Sequence, residues 1–363
     1  MVLIQWEGPV TDPVGYATVA REFLFALDKL GVNCYLPQGV QGWTDVKKLD
    51  KEFIKLFKKL SKKPQSNKKS ITIHFRLPFH HQKKSNEIIM TIFETNRIPH
   101  QWVKMCNNYF RETWVPNEFN MKTFRDSGVK KLYKVPYGVN LDRYNPNIEE
   151  LKLENRFKFL SMFDFSYRKN PHGLINAYYK AFNYDDDVVL YVKTWNIPVI
   201  QFKDYIKKVQ KGYKNKKRFP KIIIIPSVIS DSNIARLLKT VDIHVMPSYG
   251  EGWSMPCIQS MACGTPSIAT SWGGQMEFLT NKNSFLIAVK SLIPVKVSHH
   301  LWYHSYMQWA NPNINHLSYL MRYCYEHPKE VRKKSNQGIR DVKKWTWENA
   351  AKIMVKRCEE LCN

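Results

Sequence analysis

The sequence alternates short apolar runs with amphipathic segments, and this alternation restricts the chain to an α/β fold. The first half contains apolar runs such as VLIQW, SITIHFR and IIMTIF, separated by helical patterns of which residues 16–30 (YATVAREFLFALDKL) are the clearest. Such alternation predicts parallel sheets with helices on both faces. Residues 138–155 lack apolar periodicity, and a second alternating series starts at Phe157. We therefore predict two doubly wound domains, residues 1–145 and 146–344, that bind ligands at the carboxyl ends of their strands.

Length and composition agree with two globular domains. With 363 residues, of which 44% are hydrophobic, the chain is long enough for each domain to bury its own core. Its seven cysteines are scattered and include no C-x-x-C pair, which favours free thiols in a reducing cytosol over disulfides or a zinc site. No signal peptide is recognisable before Val2, and no apolar run approaches the ~18 residues of a membrane span. These features predict a cytoplasmic protein, either soluble or peripheral at a membrane.

The net charge of +25 is concentrated in lysine-rich segments. Residues 46–63 (VKKLDKEFIKLFKKLSKK) place apolar side chains on one helical face and lysines around the rest. Such a helix either lies on an anionic membrane or packs on a sheet as a surface helix, and the pattern alone leaves both open. Residues 203–221 form a second basic cluster, which we expect to be a solvated surface. No nucleic-acid recognition motif accompanies the charge, so nucleic acid is not the partner we expect.

One strand–loop–helix unit carries the clearest sign of a binding site. The apolar run 241–246 (VDIHVM) predicts a strand, and Pro247 with two glycines then breaks regular structure. Ser254 is placed to cap the next helix, which has Pro256 in its first turn and Gly264 just past its end. The start of such a helix points free N–H groups and the positive end of its dipole away from the helix, above the strand ends. The unit is therefore suited to an anionic ligand.

Two polar residues of this unit are suited to a nucleotide sugar. Glu251 precedes the helix, and Gln259 lies within it, eight residues further on. A carboxylate beside a phosphate site can accept hydrogen bonds from sugar hydroxyls, and a helix amide can bridge two hydroxyls of a ribose. An ordinary strand–loop–helix unit with an exposed glutamate fits the spacing about equally well, because anion-binding helix starts are common in α/β proteins.

Residues 251–266 (EGWSMPCIQSMACGTP) resemble the donor-site signature of the retaining GT-B glycosyltransferases of family 4, E-G-[FW]-x-x-P-x-x-E-[AS]-M-A-C-G-x-P. The match has no gap and one departure, since Gln259 stands where the family has a glutamate that binds the nucleotide ribose. The resemblance is strong over residues 157–279 and looser over residues 2–144. It implies a GT-B fold, with two Rossmann-like domains facing across a cleft and a C-terminal helix (345–363) that packs back on the N-terminal domain.

The same resemblance implies an activity. It implies transfer of a hexose from a UDP- or GDP-sugar to a hydroxyl group of a glycan or lipid-linked glycan, with retention of anomeric configuration. Enzymes of this type need no cofactor and generally no metal ion, because the helix dipole and cationic side chains take over the role of the metal. Front-face attack through an oxocarbenium-like state requires no enzymic nucleophile.

Cationic residues after the first strand of the second domain resemble the family's clamp on the diphosphate leaving group. Lys169 is the firmer match and Arg168 the second, although an adjacent Arg–Lys pair alone is more often a solvated surface feature. The family's separate upstream arginine is absent, and Lys193, at the end of the next predicted strand, is a candidate to replace its charge. The other residues that the resemblance places at the donor are Gly15, Tyr16, Glu251, Gly252, Trp253, Ser254, Met255, Gln259 and Gly274.

Fewer residues indicate where the acceptor binds. Glu94 stands where the family commonly has a histidine, at the end of the predicted strand IIMTIF, and is a candidate to bind the acceptor or assist its deprotonation. Capping of the loop before Pro99 explains this glutamate equally well. Arg97 and His74 are weaker candidates on the same side, since a lone histidine on a strand is more often structural.

Other functions remain open at the level of sequence. His300 and His304 have the i, i+4 spacing of helical metal ligands, but no H-E-x-x-H motif surrounds them, and we expect no metal site. The glutamine at position 259 and the missing arginine leave open a GT-B scaffold that binds without catalysing. The positive charge leaves open a glycosyltransferase that modifies nucleic acid. The sequence specifies neither the sugar, the base nor the acceptor.

Overall fold

The structure is a computed structural model, and it describes six segments of the chain, residues 2–12, 14–42, 49–62, 69–78, 87–296 and 302–363. The chain divides into two compact units. The first unit consists of residues 1–140 and 344–363, and the second of residues 141–343. Each unit contains its own parallel sheet, and the predicted α/β fold with two Rossmann-like sheets is confirmed.

The first unit is built on a six-stranded parallel sheet with strand order β2-β1-β3-β4-β5-β6. Its strands are β1 (Leu3–Glu7), β2 (Asn33–Tyr35), β3 (Ser70–Phe75), β4 (Glu87–Met90), β5 (Glu112–Val115) and β6 (Leu132–Lys134). Its first helices are α1 (Gly15–Lys29), α2 (Lys51–Leu60), α3 (His100–Tyr109) and α4 (Glu118–Asp126). The strand order reverses between β1 and β3, and ligands of open α/β sheets bind at the carboxyl ends of strands at such a point.

The C-terminal helix (Trp347–Cys362) is part of the first unit. Thr346 caps it by accepting a hydrogen bond from the N–H of Asn349 in the first turn (3.2 Å). The ring of Trp347 packs edge-on against a phenylalanine of α1, with centroids 5.1 Å apart. Further along, Arg357 forms a two-point ion pair with Glu112 of β5. The helix therefore contributes to the core of the unit in which the chain begins.

Helix α2 lies within the predicted amphipathic segment 46–63, of which residues 46–48 and 63 fall outside the described residues. Its apolar side chains are buried, and Phe53 packs edge-on against Phe25 of α1 with centroids 6.0 Å apart. The apolar face therefore serves the protein core, and the outer face carries mainly lysines. No described helix is both long and apolar enough to span a membrane.

The second unit contains another six-stranded parallel sheet, with strand order β12-β11-β10-β7-β8-β9. Its strands are β7 (Phe157–Met162), β8 (Val188–Lys193), β9 (Lys221–Ile225), β10 (Ile243–Met246), β11 (Ser267–Thr270) and β12 (Phe285–Ile287). An antiparallel hairpin follows, formed by β13 (Val289–Pro294) and β14 (Gln308–Pro312). The helices are α5 (Pro171–Ala181), α6 (Val199–Lys211), α7 (Asp231–Thr240), α8 (Met255–Ala262), α9 (Ile314–Glu326) and α10 (Pro328–Asp341).

The core of the second unit lies where β7, β8 and β10 pack against α5 and α9. Phe159, Leu174 and Met321, from three of these elements, are each 0% exposed. The central strands read as continuous apolar runs because helices cover both faces of a parallel sheet. This packing holds the carboxyl ends of β7, β8 and β10 side by side, and the candidate site residues follow those ends.

Strand β4 is shorter than the pattern IIMTIF predicts, and the prediction that Glu94 ends this strand is wrong. The N–H of Thr91 still donates to the carbonyl of Trp114 on β5 (3.0 Å), but the pairing between the strands stops there. The N–H of Phe93 donates to the side chain of Asn120 (2.8 Å) rather than to a neighbouring strand. Glu94 therefore lies in the irregular segment after β4. Most other predicted strands differ from the observed ones by one or two residues at their ends.

Candidate donor site

Two loops at the carboxyl edge of the second sheet are bonded to each other. One follows β7 and contains a 3-10 turn at residues 167–169, and the other connects β10 to α8. The N–H of Tyr249 donates to the carbonyl of Arg168 (2.8 Å), and the side chain of Asn170 donates to the carbonyl of Pro247 (3.1 Å). These bonds place two cationic residues of the first loop beside the glutamate of the second.

Arg168, Lys169 and Glu251 form an ion-pair cluster. The Nζ of Lys169 lies 2.7 Å from Oε1 of Glu251, and Nη1 of Arg168 lies 3.3 Å from the same oxygen. Arg168 also donates to the carbonyl of Gly250 (2.7 Å). Glu251 and Lys169 are only 5% and 8% exposed. The cluster brings together the three residues that the sequence predicts to act on the donor, and its net charge is positive.

The cluster keeps Glu251 ionised. Burial alone would raise the pKa of this carboxyl, but the ammonium of Lys169 and the guanidinium of Arg168 outweigh burial and lower the pKa to about 2. At neutral pH the carboxylate therefore accepts hydrogen bonds and does not donate them. That property suits a group that receives hydrogen bonds from sugar hydroxyls.

Asn170 sets the geometry of the cationic loop, and sequence reasoning missed it. Its backbone is left-handed (φ 55°), and its side chain caps α5 by accepting a hydrogen bond from the N–H of Gly173 (3.0 Å). A Cβ at position 173 would lie 2.4 Å from the Asn170 side chain, so only glycine fits there. The signal was present as an asparagine before a proline, which is a common helix start.

The start of α8 differs from the sequence prediction in one respect. Ser254 occupies the N-cap position, but its side chain makes no capping hydrogen bond, so the predicted side-chain cap is wrong. The reason is its left-handed backbone (φ 71°), an unusual conformation for a residue other than glycine. The carbonyl of Ser254 accepts the first helical bond, from the N–H of Cys257 (3.1 Å).

The other predicted donor residues surround this helix start. Gln259 is 7% exposed, and its side chain makes no hydrogen bond to any described residue, so its amide is free for a ligand. Trp253 is buried and packs on Phe278, with ring centroids 5.2 Å apart, while Met255 is half-buried. Gly252 is buried between Glu251 and Trp253.

The glycine pair 273–274 supports the backbone of Glu251. Gly274 begins a 3-10 turn, and its N–H donates to the carbonyl of Glu251 (2.7 Å). Gly273 has φ 110°, and a Cβ there would lie 2.8 Å from the same carbonyl. Because the N–H of Gly274 is already bonded to Glu251, the structure gives this glycine a supporting position beside the site.

Lys193 ends β8 at the same edge of the sheet, and its register partner on β7 is Met162. Burial lowers the pKa of its ammonium, and the nearby carboxylate of Asp231 raises it in part. Phe163 is buried near the position where the resemblance expects the missing arginine. The replacement of that arginine by Lys193 stays a prediction.

In the first unit, Gly15, Tyr16 and Glu94 lie near one another. Gly15 opens α1, and a Cβ at this position would meet no atom within 4 Å. The hydroxyl of Tyr16 lies 3.4 Å from both Oγ1 of Thr91 and the carbonyl of Ile92, in the segment after β4. The pKa of Tyr16 is raised mainly by burial and also by the charge of Glu94. These residues form one group at the carboxyl edge of the first sheet.

The two weaker acceptor candidates have other partners. His74 is 1% exposed, with Nδ1 3.0 Å from Glu7 and Nε2 3.5 Å from Glu87, so it is enclosed between two carboxylates. Arg97 lies on the surface and pairs with Asp126 at 3.3 Å. A histidine enclosed in this way acts within the fold rather than on a ligand, which agrees with the structural alternative.

Residues 145–293, within the second unit, match the profile of the family "Glycosyl transferases group 1". The match covers most of this unit, which extends from residue 141 to residue 343. Among curated proteins, the chain is 24% identical over 204 residues to Uncharacterized protein 356 of Sulfolobus islandicus rod-shaped virus 1, covering 52% of each protein. It is also 28% identical over 148 residues to MMP alpha-(1->4)-mannosyltransferase of Mycolicibacterium hassiacum, covering 41% of this chain and 33% of the relative. The chain thus spans about half or less of the length of these curated relatives.

Solved structures of similar fold cover nearly the whole chain. Sucrose-phosphate synthase of Thermosynechococcus elongatus has a TM-score of 0.68 at 15% identity, with 99% of both chains covered. Anabaena Alr3699/HepE in complex with UDP-glucose has a TM-score of 0.66 at 10% identity, again with 99% of both chains covered. A glycosyltransferase of Rickettsia africae ESF-5 has a TM-score of 0.66 at 15% identity, covering 99% of this chain and 98% of that one. These likenesses show the GT-B fold.

A buried histidine lies beside the ion-pair cluster of the second unit, and sequence reasoning did not select it. His244 on β10 is 0% exposed, and its Nδ1 lies 3.0 Å from the hydroxyl of Ser267. Burial lowers its pKa to about 3, against an opposing effect of the Glu251 carboxylate. The imidazole is therefore neutral at physiological pH. Its only sequence signal is that it is one of two polar residues in the otherwise apolar run VDIHVM.

Among the described residues of both units, no group of three or more His, Cys, Asp or Glu side chains is arranged to hold a metal ion. His304 is described, whereas His300 lies outside the described residues, so the predicted i, i+4 pair is not seen as a unit. The seven cysteines are all free.

The lowered pKa of Glu251 predicts a pH-dependent contribution to stability. A carboxyl whose pKa falls from 4.5 to about 2 on folding stabilises the protein by about 3 kcal/mol above pH ~4.5, and this contribution is lost as the pH falls toward 2. We expect wild type to exceed Glu251→Gln in free energy of unfolding by about this amount at pH 7. This difference in free energy of unfolding, measured by urea denaturation, should become smaller as the pH is lowered from 5 to 3.

The matched control for this experiment is Glu359→Gln, at an exposed position of the C-terminal helix. Its difference from wild type should stay small at every pH, because exposed ion pairs contribute little to stability. A gap between wild type and Glu251→Gln that does not change with pH would contradict the charged-state argument.

Proposed function

We propose that the protein is a retaining, metal-independent hexosyltransferase that uses a UDP- or GDP-sugar and acts on a hydroxyl of a glycan or lipid-linked glycan. The observation that carries this proposal is the buried ion-pair cluster of Arg168, Lys169 and Glu251 beside the start of α8. A nucleotide-diphosphate sugar presents two charged phosphates and a hydroxyl-rich ring. The cations of the cluster suit the phosphates, and its carboxylate suits the hydroxyl groups of the sugar ring.

On the donor side, the chemistry follows from charge. As the bond between the anomeric carbon and the diphosphate breaks, negative charge grows on the leaving oxygen, and Lys169 and Arg168 stabilise it. The start of α8 adds the positive end of its dipole. Glu251 accepts hydrogen bonds from the donor sugar, and the free amide of Gln259 binds the ribose hydroxyls. Gly252, Trp253, Ser254 and Met255 shape the loop that carries these groups.

On the acceptor side, Gly15, Tyr16 and Glu94 are the proposed contacts. The acceptor oxygen attacks the anomeric carbon on the face that the leaving group departs from, so configuration is retained. The proton of the acceptor hydroxyl passes to the leaving diphosphate oxygen. One bond forms at the anomeric carbon as the other breaks, and no covalent enzyme intermediate is required.

Two named proteins support the choice of a nucleotide hexose. One relative is named a mannosyltransferase, and one structural neighbour holds UDP-glucose.

We also propose a cytoplasmic location, where free thiols are stable, with peripheral contact to anionic membranes through exposed lysines of α2. Because the apolar face of α2 is buried in the first unit, this contact would be electrostatic and not insertive.

The proposal predicts nucleotide-dependent thermal stabilisation. UDP, GDP, ADP and CMP, with their common sugar conjugates, are tested by thermal shift. A ligand present at ~100 times its Kd adds about 2.7 kcal/mol of stability, which gives a measurable rise in Tm. We expect UDP or GDP compounds to stabilise wild type, and Gln259→Ala to bind them about 10-fold more weakly because hydrogen bonds to the ribose are lost.

The control is Gln210→Ala, which removes a glutamine that bonds to Tyr179 on α5 and should leave nucleotide affinity unchanged. A second variant, Gln259→Glu, restores the residue of the family signature and should retain ribose binding. If no nucleotide raises the Tm of wild type, the donor site is absent and a non-catalytic scaffold becomes the better explanation.

A further inference from the structure

Three aromatic side chains stack beside the ion-pair cluster. The rings of Tyr167 and Tyr249 are 5.1 Å apart at an interplanar angle of 13°, and Trp309 lies 6.4 Å from each ring at angles of 27° and 15°. We call Tyr167, Tyr249 and Trp309 the aromatic platform. Nearly parallel rings of this kind form a flat and rigid surface.

The platform has a buried base and an exposed top. Trp309 on β14 is 0% exposed and is braced edge-on by Tyr303, with centroids 5.2 Å apart. Tyr167 is 45% exposed. The base comes from the hairpin beyond residue 293, outside the segment that matches the family profile. The exposed face of Tyr167, held flat by the rings beneath it, is available to stack on a ligand.

The platform is continuous with the donor site. Tyr167 directly precedes Arg168, whose carbonyl accepts a hydrogen bond from the N–H of Tyr249 (2.8 Å). Tyr249 is itself two residues before Glu251. The exposed ring is therefore placed at the end of the site where the diphosphate and donor sugar are proposed to lie.

Phenol groups form a polar rim on the platform. Burial and, to a smaller extent, the nearby Tyr167 phenol raise the pKa of Tyr205 on α6 to about 12. Burial and Tyr167 also raise the pKa of Tyr249. The hydroxyls of Tyr205 and Tyr249 are therefore protonated at neutral pH, so each can both donate and accept hydrogen bonds. The surface combines an aromatic face with neutral polar groups at its edge.

We propose that the exposed face of Tyr167 binds a sugar ring of the acceptor, a role that rests on the proposed function. One face of a pyranose carries mainly C–H groups and packs on an aromatic ring, while its hydroxyls point outward to polar partners. A nucleobase also stacks on aromatic rings, but Gln259 is the proposed ribose contact and lies on α8, whereas the platform adjoins Arg168 and Glu251. Because Arg168 and Glu251 are already assigned to the diphosphate and the donor sugar, the ring beside them is left for the acceptor, whose hydroxyl must reach the anomeric carbon of that sugar.

Saturation-transfer NMR on the full chain tests the proposal. The probes are methyl α-D-glucopyranoside and methyl α-D-mannopyranoside, measured with and without UDP and GDP. We expect wild type to transfer saturation to the ring C–H protons of at least one glycoside. Tyr167→Ala should reduce that signal at least 5-fold, and Tyr167→Phe should restore most of it because the ring is kept.

The matched control is Tyr184→Ala, which removes a tyrosine of nearly equal exposure (46%) in the loop between α5 and β8, at the opposite edge of the sheet. Saturation transfer to the glycosides should be equal in Tyr184→Ala and in wild type. No transfer to either glycoside in wild type, or equal transfer in wild type and Tyr167→Ala, would overturn the proposal. So would weaker UDP and GDP binding in Tyr167→Ala, because the ring would then serve the nucleobase.

Thermal shift with UDP and GDP keeps the two hypotheses apart. If neither nucleotide binds wild type, the proposed function fails, whatever the glycosides show. If nucleotide binding is intact and the glycoside signal does not depend on Tyr167, only the role of the platform fails.

Discussion

Lys169→Met is expected to lower the rate of sugar transfer at least about 100-fold and the free energy of unfolding by about 3 kcal/mol. Both effects have one origin. Lys169 is the nearer of the two cations that contact Glu251, at 2.7 Å, and both side chains are almost fully buried. Methionine keeps the length of the side chain but leaves a buried carboxylate with Arg168 as its remaining partner in the cluster. The measurements are initial rates with saturating donor and urea denaturation at pH 7.

A double variant separates stability from chemistry. Lys169→Met combined with Glu251→Gln removes both charges, so it should recover most of the lost stability while the transfer rate stays low. The matched control is Lys216→Met, since Lys216 is a half-buried lysine that bonds to the carbonyls of Tyr179 and Phe182. It should lose stability without losing transfer. Recovery of the rate in the double variant would show that the charge of Lys169 plays no part in the reaction.

Gly138→Ala is expected to destabilise the first unit by several kcal/mol, the second large effect. A Cβ at this position would lie 2.3 Å from the N of Trp347 and 2.5 Å from the carbonyl carbon of Thr346. These are backbone atoms at the start of the C-terminal helix, so no side-chain rotation can relieve the contact. Val139 pairs with Thr346 in an isolated bridge, which fixes the two segments further.

Hydrogen exchange measured by mass spectrometry reports on this change. Loss of protection should concentrate in the C-terminal helix and in α1, against which it packs, while the second unit stays protected. Gly15→Ala is the stability control, because a Cβ there meets no atom within 4 Å and alanine is the better helix former. A Gly138→Ala protein with the wild-type Tm would mean that the two segments are not held as closely as the structure has them.

Local patterns in the sequence were sufficient to predict the fold and to select the three residues of the ion-pair cluster. Alternating apolar and amphipathic segments specify parallel sheets, because the period of each pattern determines which faces are buried. The signature around Glu251 and the cations at 168 and 169 could likewise be selected from consecutive letters. The ion pairs among these three residues could not be predicted in this way, because the contact between Lys169 and Glu251 joins positions 82 residues apart.

The incorrect sequence predictions also result from contacts and conformations that no local pattern reveals. The strand before Glu94 ends early, and Phe93 beyond it bonds to Asn120 rather than to a neighbouring strand. Ser254 fails to cap α8 because its backbone is left-handed, a conformation imposed by the surrounding loop. The aromatic platform escaped notice because its three rings come from the two loops of the donor site and a hairpin some 60 residues further along the chain.

The position of the C-terminal helix in the first unit has a consequence for synthesis on the ribosome. The first unit begins to emerge first, yet its last helix is translated only after about 200 further residues have been added. At typical translation rates this interval lasts roughly 10–40 s. During that time the second unit, which is continuous in sequence, can fold completely, while the first still exposes the apolar surface that Trp347 and Met354 will cover. The domain whose translation starts first is thus the last to be finished.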